Sequence, residues 1–280
     1  MKFSRYLLGV ITTLSVCFGQ GEDSTFLNAA TLRTAVRFAV EVPFNNVALN
    51  TVPEGLTARQ SIAHILKQKG VLGFYSGAPI EILRSLLWYP RMQLMKDSWN
   101  IYIPVGSLED GNINFVECDP HVSTSVNLAA FEMGVMPLFR IRNAFMLHPF
   151  QSILDNGSHI GKTLYAGGTL RGGITFASWY TFFKAQEYAK DHWENNSLLQ
   201  GAFTTGAQMV VGGLVAPLYV VMINRQKLTN PCVFPFWKSA WSIYLKQGSH
   251  VYIRSAKFGA AHAGMQAALT VGVLILCEEK

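Results

Sequence analysis

The sequence predicts an all-α membrane protein made of three tandem two-helix repeats. Three observations carry that prediction. Half of the 280 residues are hydrophobic and only 14% are charged, against roughly 25% in average globular chains. The run from Gly201 to Asn224 holds no charged residue and is long enough to cross a bilayer as a helix. An apolar helix with a proline near its end, an amphipathic link and a Gly/Tyr turn recur three times, and a repeat of this kind outranks local readings. Mean hydropathy is positive but modest, +0.21. That suits spans with polar faces on a water-filled cavity better than a bundle facing lipid alone. A soluble protein with a large apolar core is the competing reading of the same composition.

The elements follow in order. Residues 1–23 form an N-terminal tail or signal-like segment: Lys2 and Arg5 precede the apolar run Tyr6 to Phe18, and Gly19 and Gly21 follow. A charged start, a short apolar stretch and a small residue have the shape of an export signal. The run is short for a span, so a membrane-associated tail is the alternative. Repeat 1 covers 24–110. Its first helix carries Arg33 and Arg37 one turn apart and Pro43 near its end. Residues 57–70 read as an amphipathic link helix stopped by Gly70. Phe74-Tyr75-Ser76-Gly77 then opens a second apolar helix to Trp99, interrupted by Arg84, Arg91 and Lys96 and kinked by Pro90. Residues 100–119, rich in Asp, Glu, Gly and Asn, read as a loop between units.

Repeat 2 covers 111–195. Its first helix contains Pro137, with Arg140 and Arg142 after it, and Leu164-Tyr165-Ala166-Gly167 opens its second, with Arg171 one turn in. Repeat 3 covers 196–280: the uncharged run with Pro217, a short helix near 235–247, the turn Val251-Tyr252-Ile253-Arg254 and a last apolar helix to Cys277. The prolines Pro43, Pro137 and Pro217 recur about every 80–95 residues. Asp97 stands twenty residues after Gly77, and Glu187 stands twenty after Gly167 with Lys190 one turn on; Leu274 breaks the rule in the third unit.

Composition also excludes functions. Net charge is +6, but no Lys/Arg cluster interleaves with aromatics, so no nucleic-acid partner is expected. Cys17, Cys118, Cys232 and Cys277 are far apart and form no C-x-x-C pair, so neither a disulfide framework nor a metal site is implied. No G-x-S-x-G, H-E-x-x-H or phosphate loop is present. No enzymatic activity and no cofactor are expected.

The order and spacing of these features over residues 25–280 resemble the mitochondrial carrier family, whose members place six transmembrane helices around a central cavity. In that family the odd helices end in Pro-x-[Asp/Glu]-x-x-[Lys/Arg]-x-[Lys/Arg]-x-Gln. Pro217 and Gln226 keep the spacing here, while Tyr219, Met222 and Asn224 replace the charges. Pro43 is followed by Asn45, Ala48 and Asn50, and Pro137 by Phe139, with Arg142 alone matching a cation position. The even helices fit better: Gly70 and the Phe-Tyr-x-Gly turn, Arg84 seven residues after Gly77, and Glu187 with Lys190 follow the family pattern, with Gln186 in its aromatic place.

The resemblance implies a membrane transporter that exchanges an anionic metabolite or nucleotide. It implies substrate contacts at Arg84, at the pair Ile174-Thr175 and at the pair Ala261-His262. Arg142 and Arg171 join this set as intramembrane cations, which rarely face lipid; Arg33 and Arg37 are further candidates. Gate or kink roles fall to Pro43, Pro137, Pro217, Gln226, Asp97, Glu187 and Lys190. The implied partners are a small anionic solute, membrane lipid such as cardiolipin, and other membrane proteins. The implied location is a mitochondrial membrane, crossed several times. Losing the gate acids leaves a second reading open: a non-transporting carrier fold in the outer membrane, acting as scaffold, insertion or membrane-dynamics factor. A third is an exported protein with a cleaved signal.

Overall fold

Short-range signals set the element ends. Thr57 and Gln60 form a capping box: the Thr57 side chain accepts from the Gln60 backbone N–H at 3.3 Å, and Gln60 accepts from the Thr57 N–H at 2.8 Å. Asp119 caps another helix by accepting from the His121 backbone N–H at 2.7 Å, with Pro120 next in line. Gly77 and Gly167 take the left-handed conformation, φ 80° and 83°, where each chain turns into a helix.

A computed structural model describes residues 35, 37–54, 56–87, 90–91, 94–95, 97, 99–105, 114–147, 164–194, 196–227 and 236–278. The tail 1–23, Arg33 and the connection 148–163 lie outside the described residues. The fold is mostly helical, with nine α-helices among the described residues. A π-helical turn (Arg37–Glu41) leads into α1 (Val42–Glu54). The link helix α2 (Ala58–Lys69), a 3-10 turn (Val71–Tyr75) and α3 (Ala78–Leu86) follow. Next come α4 (Pro120–Gly134), α5 (Met136–Leu147), α6 (Gly168–His192), α7 (Ser197–Lys227), α8 (Phe236–Gln247) and α9 (His250–Glu278).

The connector expected as a loop over 100–119 contains a hairpin instead. Strands β1 (Tyr102–Val105) and β2 (Asn114–Glu117) pair antiparallel, Tyr102 opposite Glu117 and Val105 opposite Asn114. Tyr102, Ile103, Phe115 and Val116 supply the β-branched and aromatic residues that favour a strand. The turn residues of this segment hid that pattern.

The prolines behave in two ways. Pro217 sits inside an unbroken α7. Pro43 is the second residue of α1, where the π-turn passes directly into α-helix. Pro137 is the second residue of α5, after the break at Val135, where a missing N–H costs little. The axes of α4 and α5 bend by 53° at this break.

Among the described residues, Ser197–Asn224 of α7 is long and apolar enough to cross a membrane, and the bent pair α4–α5 qualifies if it counts as one span. Helices α7 and α9 meet through small residues. A Cβ on Gly212 would stand 2.7 Å from the Gly259 carbonyl oxygen and collide with the Ala263 Cβ, and one on Gly259 would collide with the Ala216 Cβ. Such stripes let backbones approach closely and gain dispersion. Two apolar clusters complete the interior. One joins Leu49, Met136, Phe139, Met146, Met222 and Ile223 from α1, α5 and α7. The other joins Val220, Val221, Ile243 and Val251 around α8, where the Tyr252 hydroxyl donates to the Ala240 carbonyl at 2.7 Å.

Candidate functional site

The helices surround a cavity of about 250 Å³, lined from α1, α4, α5, α6, α7 and α9, with Arg84 of α3 and Arg91 adding their side chains. Six residues expected from the sequence to contact a solute line it together: Arg84, Arg142, Arg171, Ile174, Thr175 and His262. Ala261 is exposed and is not part of the wall.

The three arginines converge on one ring. The guanidinium carbons of Arg84, Arg171 and Arg142 lie 3.6, 4.1 and 5.2 Å from the Phe139 centroid. Arg171 also lies 5.4 Å from the Tyr219 ring. A guanidinium within about 6 Å of an aromatic face is attracted by the ring quadrupole, most strongly where water is excluded. Phe139 is buried to 3% exposure.

Two carboxylates that the sequence reading did not single out pair with the arginines of the cluster. Glu81 receives Arg84 Nη1 at 2.8 Å and Arg142 Nη1 at 2.5 Å. Glu132 receives Arg171 Nη2 at 3.2 Å and forms an ion pair with Arg91. Both acids are 2% exposed. Asn143 Oδ1 accepts from Arg142 Nε and Nη2 at 3.2 and 3.0 Å. In these pairs four guanidiniums share two buried carboxylates, Arg84 and Arg142 on Glu81, Arg91 and Arg171 on Glu132. Burial of unpaired charge is costly, so pairing is what permits the cluster at all. A signal for Glu132 was present, since it is a lone acid in the otherwise uncharged stretch Pro120–Gly134 after its cap. Glu81 stands one helical turn before Arg84.

A second polar group lies on the α1–α9 side. Glu41 Oε1 accepts from Gln266 Nε2 at 3.0 Å and Asn45 Nδ2 at 3.4 Å, and His262 Nε2 stands 3.5 Å away. The His262 ring stacks on Phe44 at 5.9 Å. Phe182, Trp179 and Gln208 extend the wall, with Gln208 Nε2 donating to the Ser178 carbonyl at 2.8 Å to tie α7 to α6.

The remaining gate candidates scatter. Asp97 is exposed in a bend, and Lys190 is exposed. Glu187 takes Lys184 as its cation, at 2.9 Å, not Lys190 as the spacing suggested. Lys184 also reaches Asp119 at 3.0 Å, and His121 lies 3.4 Å from Glu187. This strap links α6 to the start of α4. It holds the Asp119 carboxyl below its ordinary range, chiefly through the Lys184 hydrogen bond and the His121 backbone N–H. Gln226 lies in the last turn of α7.

Lys69 performs an unforeseen role at the end of α2. Its Nζ donates to the Met146 and Phe145 carbonyls at 3.0 and 3.4 Å, capping α5. Partial burial lowers its pKa. Among the described residues no three of His, Cys, Asp and Glu gather as a metal site requires. Comparison with protein-family models finds none that matches the chain, and comparison with curated proteins finds no match.

Proposed function

We propose that this chain is a divergent carrier-like membrane protein whose cavity moves a small anionic solute, a carboxylate or a nucleotide, across a membrane. The observation that carries the reading is the convergence of Arg84, Arg142 and Arg171 on Phe139 in the cavity wall. An anion entering there meets guanidinium forks suited to carboxylate or phosphate. Six spans in three two-helix units, in a mitochondrial membrane with cardiolipin among its lipids, belong to the same proposal. Support comes from the matched left-handed Gly77 and Gly167 before α3 and α6, and from link helices α2 and α8 that each end at a glycine of positive φ, Gly70 and Gly248.

The positions where carriers place gate acids hold Asn45, Phe139 and Tyr219 here. Two of these rings receive the arginines instead, so guanidinium–aromatic contacts take the place of salt bridges at that end of the cavity. The same substitution favours a second reading, a carrier fold that no longer alternates and serves as scaffold or insertion factor. Uptake of labelled malate and ATP into liposomes separates the two. Transport predicts flux that Arg171→Ala and Arg84→Ala abolish. No flux with either solute or with other labelled anions overturns the transport reading in favour of the scaffold.

A further inference from the structure

We propose that the cavity takes a small monocarboxylate bearing a flat aromatic ring, with its charge at the arginine cluster and its ring against Trp179 and Phe182. The inference names the solute class of the cavity described above, and it rests on the anion reading of that cavity.

Helix α6 carries a stripe that runs from charge to ring. Arg171, Thr175, Ser178 and Phe182 follow one another at spacings of three or four residues, which places them on one helix face. Trp179 adjoins them, and all five line the cavity. Trp179 lies eight residues beyond Arg171, about 12 Å further along the helix axis. Phe183 stacks on the Trp179 ring at 5.6 Å, and Phe182 meets it in a T-shape at 5.6 Å. Two ring contacts hold the indole in place before any solute arrives.

The two ends differ in charge. The guanidiniums of Arg84, Arg142 and Arg171 gather at Phe139, where a carboxylate meets planar forks that match it. Around Trp179, α6 holds no charged residue from 172 to 183, and α7 holds none from Gly201 to Asn224. Gly212, Val215 and Ala216 of α7 line the same cavity. A second carboxylate in this sector would lose its water without gaining an ionic partner. An aromatic ring there gains burial and ring–ring attraction. The arginine and indole side chains cover part of the 12 Å, about the rise of eight residues, and a short linker between carboxylate and ring spans the rest. The cavity volume of about 250 Å³ lies below the roughly 300–1,000 Å³ of most ligand pockets. That favours a compact ring-bearing acid over a nucleotide.

The test is titration calorimetry of the full detergent-solubilised chain with 3-phenylpropionate, propionate, malate and AMP. 3-Phenylpropionate is expected to bind at least about tenfold more tightly than propionate or malate. Trp179→Leu should bring the ratio of the 3-phenylpropionate and propionate affinities to within about threefold of one, and Trp179→Phe should keep it near the wild-type value. The ratio is indifferent to the fraction of protein that is folded. Equal affinities in the wild type, a ratio unchanged in Trp179→Leu, or AMP bound more tightly than 3-phenylpropionate each overturn the inference. Liposome uptake separates it from its parent reading. Malate flux with no preference for the ring overturns the ring site and leaves transport standing. Tenfold preferred binding of 3-phenylpropionate with no anion moved supports the ring site and overturns transport. No binding of any of these probes overturns both.

Discussion

Replacing Phe139 by leucine isolates the ring from its volume. Leucine keeps most of the apolar bulk between Leu49, Met136, Met222 and Ile223, so repacking alone costs less than about 1.5 kcal/mol. It removes the aromatic face beneath Arg84 at 3.6 Å and Arg171 at 4.1 Å. Desolvated guanidinium–ring contacts contribute from about 1 to about 2 kcal/mol each. The sum is a loss of about 2–5 kcal/mol, of which the two contacts supply the larger share. Phe139→Tyr keeps the face and loses only what its buried hydroxyl costs. Unfolding of the detergent-solubilised protein, followed by tryptophan fluorescence, measures both. A leucine variant within about 0.5 kcal/mol of wild type, or a tyrosine variant as damaged as leucine, refutes the claim that Phe139 holds the arginines through its ring.

Glu132→Gln leaves Arg91 and Arg171 without their shared buried carboxylate and should destabilise by about 3–5 kcal/mol in the same unfolding assay. Gly212→Val drives a side chain into the Gly259 carbonyl and Ala263; a loss of about 1–3 kcal/mol is expected, with weaker cysteine cross-linking between α7 and α9 as an independent readout. Thr57→Ala removes the capping box of α2 and should cost about 1 kcal/mol. The Asp119 carboxyl is held below its ordinary range by Lys184 and the His121 N–H. Its stabilisation is therefore full above the unfolded carboxyl range and fades only as pH falls toward the lowered folded value. Asp119→Asn should lose this acid-dependent part, seen as a flatter stability curve at low pH.

The legible parts of this chain are those that obey local rules. Thr57 with Gln60, Gly70 and the run Gly201–Asn224 each carry their structural consequence within a few residues. Arg84, Arg142 and Arg171 were legible one step further, because a cation in an apolar helix must turn inward. Their partners were not. Glu81 meets Arg142 across 61 residues and Glu132 meets Arg171 across 39, and no spacing rule spans such distances. The π-turn before Pro43 misled for the opposite reason: a proline near an apolar helix end reads as a kink, yet the chain changes helix type there.

Buried charge explains why the cluster takes the form it does. A carrier-type gate pairs each arginine or lysine with an acid on the same odd helices, so closing the gate joins charges that opening exposes. Under the proposed carrier reading the acids of this chain sit elsewhere, Glu81 on α3 and Glu132 on α4, and Phe139 and Tyr219 occupy the positions where carriers place acids. The two carboxylates then pair with all four guanidiniums without depending on contacts between Asn45, Phe139 and Tyr219. Opening the aromatic end would break ring contacts of about 1–2 kcal/mol rather than buried ion pairs of about 3–5 kcal/mol. If the chain alternates, its closed state is held by a weaker and more apolar lock, and flux should depend little on ionic strength. If it does not, the same Glu81 and Glu132 pairs act as fixed struts between helices. In that case salt and solute leave the unfolding temperature unmoved, whereas a transporter's solute must raise it, with the logarithm of solute concentration once that exceeds Kd.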